Sequence, residues 1–318
     1  MATIVEMINP LTGLPEQVDK LDHTAQEIDD AVGLAPQLSN PNLLDNWYFG
    51  NPVNQRGVAS GTEWEGNKYS LDRWASFSVG VYWDSNGYIV FPPGIENNLI
   101  YQRLEKSKLI VGSKITLSLL TDDGNLIFNT VTYAGNTIYG VLPGTVFGNS
   151  AIVVNDDYVE IRIWYTEKNA SEGHLAAAKL ELGSQQTLAH QDADGNWVLN
   201  EIPDYGEQLA RCQRYFRRRN VVQSYGTVGI GICTSATLAQ INVPRTPMRI
   251  NPSVSVSGAY RLYAYSGTYW NTREIKVDQI SDFYIRLNCT ISGGTPGQAV
   301  YAQAQNNASA YIDEIADL

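Results

Sequence analysis

Histidine and cysteine are scarce in this chain, with three of each among 318 residues. His23, His174 and His190 lie too far apart for the short paired spacings of a zinc site, so no metal and no cofactor is expected. Cys212, Cys233 and Cys289 are odd in number and widely spaced, and they read as reduced, packed thiols. Basic residues are in deficit: 22 Lys and Arg face 33 Asp and Glu, a net charge of -11. Phosphate binding needs a basic face, so the charge argues against a nucleic-acid partner, and none is expected. No apolar run approaches the ~20 residues of a spanning helix, which argues against membrane insertion. The opening MATIVEMINPLTG lacks the basic start and apolar stretch of a secretory signal, and folding in a cytoplasm is expected. Also missing are a G-x-S-x-G elbow, an HExxH helix and a phosphate-binding G-x-x-x-x-G-K-[ST] loop, so no catalytic residue is assigned and an enzyme is not expected. Carboxylates that meet only in space, as in glycosidases, escape such a search.

What is present is an order of parts. Leu14, Val18, Leu21, Ala25, Ile28 and Val32 fall on alternating steps of four and three, the a/d spacing of a coiled-coil seam. Pro15 suits a first helical turn, and Gly33 with Pro36 suits a stop. The alternative is one amphipathic helix docked on its own domain. Val at a with Leu at d leans toward a dimer. From Asn40 the composition shifts to Asn, Gly, Trp and Tyr, with alternating segments between turn signals. In YVEIRIWYTE, Val159, Ile161 and Ile163 share one strand face while Glu160, Arg162 and Trp164 share the other. Asp123-Gly124 marks a hairpin.

The expected fold is therefore mainly β. Residues 1–38 form an attachment segment with a short coiled coil, and 40–186 a jelly-roll β-sandwich. Residues 187–219 supply a connecting hairpin and short helix, and 220–318 a second β-sandwich domain.

Three features compete for function. His190, Asp192, Asp194, Gly195, Asn196 and Glu201 imitate a calcium loop, but imidazole suits a hard cation poorly, and a polar β-turn is the better reading. Arg217, Arg218 and Arg219 form the one basic run, either a solvated face or a partner for Asp313, Glu314 and Asp317 of a neighbouring subunit. The aromatics are the stronger lead, with 7 Trp and 19 Tyr. Trp47, Trp74 and Trp83 read as core. Trp164 beside Arg162 and Glu160, and the Tyr263, Tyr265 and Trp270 cluster, read as candidate glycan-binding groups, since planar rings with polar neighbours stack on sugars.

NLLDNWYFGNPVNQRG at 42–57, YSLDRW at 69–74, AAKLELGS at 177–184, YGEQLARCQRYF at 205–216 and PMRINPSVSVSG at 247–258 occur in an order that resembles the fibre proteins of tailed bacteriophages and prophages. The resemblance implies a homotrimer on the virion, made in the bacterial cytoplasm. It implies attachment to other virion proteins through the N-terminal segment. It also implies a middle block similar to a carbohydrate-binding jelly roll that contacts host surface polysaccharide. A decorative head fibre without a ligand and a polysaccharide depolymerase are the alternatives.

Overall fold

The computed structural model describes residues 4–8, 15–19, 39–166, 172–220, 226–305 and 310–318. The chain divides into two compact units, residues 1–40 and 41–318. In the first, strands Ile4–Ile8 and Pro15–Asp19 pair antiparallel, with Val5 opposite Val18. Pro15 opens its strand, where its missing N–H costs least. Pro15–Asp19 would have begun the predicted helix. The seam positions Leu14, Leu21, Ala25, Ile28 and Val32 lie outside the described residues.

The second unit is mainly β. One five-stranded sheet runs Ala151–Val154, Tyr158–Trp164, Leu99–Glu105, Trp74–Ser76, Tyr69–Leu71 in spatial order. A second runs Tyr82–Trp83, Ile89–Phe91, Gly173–Leu182, Lys114–Thr121, Leu126–Thr132. Period-two alternation sends Ile100, Leu104, Val159, Ile161 and Ile163 from the first sheet, and Ile115, Leu117, Leu119 and Leu180 from the second, into one shared core. Each such side chain contributes about 1.5–3 kcal/mol by leaving water. Asp123-Gly124 turns the last hairpin of the second sheet, with Gly124 at a φ of 74°.

The strand Gly173–Leu182 does not expose one face as its alternation suggests. Its pairing shifts between Leu175 and Ala177, and Lys179 and Glu181 are fully buried. The connecting segment covers them: Glu181 accepts from the Thr187 N–H at 2.7 Å, and Lys179 donates to the Thr187 carbonyl at 3.3 Å.

Beyond the helix Tyr205–Gln213, capped by Asp204 through the Glu207 N–H, a three-stranded sheet joins Phe216–Asn220, Tyr311–Ile315 and Ser253–Ser257. A seven-stranded sheet runs Tyr269–Asn271, Tyr260–Ala264, Ala299–Ala304, Thr227–Cys233, Leu238–Pro244, Tyr284–Thr290, Glu274–Ile280. The two share a second core built on Ile241, Leu262, Ile285, Leu287 and Ile312. All three cysteines are buried free thiols.

Candidate glycan-binding face and the buried knot beneath it

Four of the five segments quoted for the fibre resemblance, all but 247–258, converge on a buried polar knot. Asp45, 2% exposed, meets Arg73 at 3.2 Å, Arg211 at 2.8 Å and Lys108 at 3.5 Å. Burial alone would raise the Asp45 carboxyl, but the charges of Arg73, Lys108 and Arg211 outweigh it and hold it below the usual carboxylate range. Arg73 is itself buried, lies 3.5 Å from the centre of the Tyr215 ring and donates to the Arg103 carbonyl. The Asn46 N–H donates to Gln208 at 2.7 Å, and the Trp74 indole donates to the Asn46 carbonyl at 2.7 Å. Asn42 bonds the Ala178 carbonyl and accepts from the Leu180 N–H. Asn46 and Arg73 both sit at positive φ, 54° and 70°. For Arg73 that conformation costs roughly 1–2 kcal/mol, which the knot must offset. Motifs 42–57, 69–74, 177–184 and 205–216 thus share one structural task, fastening the helix to the two five-stranded sheets.

The Arg217–Arg219 run belongs to the same junction. Pairing of Phe216–Asn220 with Tyr311–Ile315 sets Arg218 against Asp313 at 2.7 Å and Arg219 against Glu314 at 3.0 Å, while Asp317 pairs with Arg56 at 2.7 Å. The basic run is therefore neither an open solvated face nor, at these pairs, a bridge to another subunit, because its acids come from the same chain.

The outward face of the first sheet has a different character. Tyr158, Glu160, Arg162 and Trp164 point away from the core on one strand, and Leu99, Tyr101 and Arg103 do so on the next. In register, Glu160 stands opposite Arg103, and Arg162 opposite Tyr101. Glu160, 4% exposed, accepts from Arg162 Nε at 2.7 Å and from Arg103 Nε at 3.1 Å. Arg103 also lies over the Tyr158 and Tyr101 rings, at 4.6 and 5.3 Å from their centres. These groups, with Asn67, Phe77 and Asn155, line a cavity of about 120 Å³. Trp164, opposite Leu99, packs against the buried cluster of Ala75, Leu99 and Tyr101 and lines a neighbouring cavity of about 190 Å³ with Glu96, Asn97 and Asn149. The structure thus brings Glu160 and Arg162 into one cavity and places Trp164 in the next.

Sequence reasoning missed Tyr101, Arg103 and Tyr158. The signal was present in LIYQRLE, whose alternation separates Tyr101 and Arg103 from Ile100 and Leu104.

The second predicted cluster divides. Tyr263 and Tyr265 contact Tyr301 with ring centres 5.4 and 5.7 Å apart on the outward face of the seven-stranded sheet. Trp270 stands opposite Leu262 and packs on the core, because one residue of strand phase separates it from Tyr269. Near Tyr263 and Tyr265, Ile230, Ile232 and Tyr269 are exposed, leaving a broad apolar strip. The calcium-like segment is a hairpin turn between Ala189–Gln191 and Trp197–Leu199. Asp192 accepts from the Asp194 and Asn196 N–H groups at 2.9 Å each, and Glu201 pairs with Lys179. No protein-family model and no curated protein matches this chain.

Proposed function

We propose that this chain is the subunit of a trimeric bacteriophage virion fibre or spike that binds host cell-surface glycan. The glycan site is the outward face of the Tyr158–Trp164 sheet in a jelly-roll domain. One observation carries the reading: Glu160 is fixed between two arginines on a sheet face walled by Tyr101, Tyr158 and Phe77. Bound charge and flanking rings suit a sugar, whose hydroxyls need donors and acceptors and whose C–H face needs an apolar wall. The N-terminal unit attaches the protein to the particle, and clustering of three copies turns weak sites into useful avidity. No step of this role requires a metal, a cofactor or catalysis.

A purely structural fibre without a ligand is the second reading, favoured by the exposed strip of Ile230, Ile232, Tyr265 and Tyr269, which suits a protein contact. Adsorption of the purified, labelled full chain to host cells separates the two. A glycan-binding fibre adsorbs, and periodate treatment of the cells abolishes the signal. A structural fibre leaves the cells unlabelled.

A further inference from the structure

The geometry points to an acidic sugar unit, one carrying a carboxylate or a phosphate, as the ligand of the Arg103–Arg162 cavity in preference to its neutral counterpart. This inference rests on the glycan reading above and narrows it. The side chains lining the cavity include two guanidiniums and one carboxylate, Glu160. Arg162 spends only its Nε on Glu160, and its two terminal nitrogens have no acceptor among the described residues. Arg103 gives Nε to Glu160 and Nη1 to a main-chain oxygen of Leu318, which leaves Nη2. The charged groups still short of partners at this cavity are therefore donors on cations, and a ligand completes the site by bringing acceptors.

A free guanidinium edge presents two parallel N–H groups, the spacing that a carboxylate or phosphate matches with two oxygens. Arg162 and Arg103 are only 26% and 27% exposed, so an anion placed against them is attracted more strongly than in open water. Glu160 does not cancel this preference, since one carboxylate is shared by both arginines. Its part is to hold the two forks in place, so less side-chain freedom is lost on binding. Phe77, 40% exposed, and Tyr158 offer rings to the sugar itself. The net charge of -11 on the chain acts over distances that salt screens beyond about 8–10 Å, so the groups lining the cavity, rather than the charge of the whole chain, set the selectivity.

Titration calorimetry on the full chain tests this with three probes: an oligogalacturonate, its fully methyl-esterified form and a glycerol-phosphate oligomer. At least one acidic probe is expected to bind about tenfold more tightly than the ester, and which one it is distinguishes carboxylate from phosphate. Arg162→Gln is expected to bring that ratio below about two, whereas Arg162→Lys, which keeps the charge without the fork, retains part of it. The ester binding as tightly as both acidic probes would overturn the acidic class while leaving the glycan reading in place. Absence of saturable binding by all three probes at millimolar concentration would overturn both.

Discussion

Replacing Asp45 with Asn removes the one carboxylate that Arg73, Arg211 and Lys108 share, and its effect can be worked from the contacts. Arg211 and Lys108 are 27% and 25% exposed and regain water when the charge is lost. Arg73 is 1% exposed and cannot. It would keep the Arg103 carbonyl, the Tyr215 ring and at most a neutral amide oxygen in place of the carboxylate, and its Nη1 already lacks a partner. Breaking a buried pair by deleting one member costs about 3–5 kcal/mol, and Asn preserves one neutral acceptor, so a loss near 3 kcal/mol is expected. For a unit of this size that corresponds to a fall of about 6–12 °C in the melting temperature. Urea titration followed by tryptophan fluorescence measures it, with Lys108→Met as the control. That substitution removes a partly exposed contact at 3.5 Å and a hydrogen bond to the Leu43 carbonyl at 3.0 Å, and should cost about 1 kcal/mol. A loss below about 1 kcal/mol for Asp45→Asn would refute the knot as the fastening point of the fold.

Burial raises the Asp72 carboxyl to about 6, against opposing effects of Arg56 and Gln55. The folded state therefore holds a proton that the unfolded state releases near pH 4. Stability from this group should fall by about 3 kcal/mol as pH rises from roughly 4 to 6, and Asp72→Asn should flatten the slope of melting temperature in that window. Gly231→Ala should cost several kcal/mol in a chemical melt, because a Cβ there would lie 1.8 Å from the Gln240 carbonyl oxygen. Burial raises all three thiols, Cys289 to about 12, so Ellman's reagent should label them only at the rate of unfolding. Light scattering should report three times the 35.2 kDa chain mass, and a monomer at micromolar concentration would count against a fibre.

Strand phase was the most legible feature of the sequence. YVEIRIW alone assigns Val159, Ile161 and Ile163 to the core and Glu160, Arg162 and Trp164 to the outer face. Arg103 and Tyr101 belong to a strand some 57 residues away, and only the pairing of Glu160 with Arg103 makes them part of the same site. Local aromatic density does not separate Trp270 from Tyr269, and a shift of one residue leaves Tyr269 exposed while Trp270, partly buried, packs against the core. The buried Lys179 and Glu181 were illegible for a related reason: the segment that covers them comes from outside their own sheet. Short polar motifs such as LDRW invite a functional reading. Their side chains instead satisfy one another at a junction that sequence spacing does not reveal.

Hydrogen exchange of the full chain, with and without purified host-wall glycan, tests the central claim most directly. Protection on binding is predicted in the strands Leu99–Glu105 and Tyr158–Trp164 and at Asn67 to Phe77, with the seven-stranded sheet unchanged. Protection confined to the seven-stranded sheet, or none at a saturating glycan concentration, would contradict the assignment of this face as the recognition site.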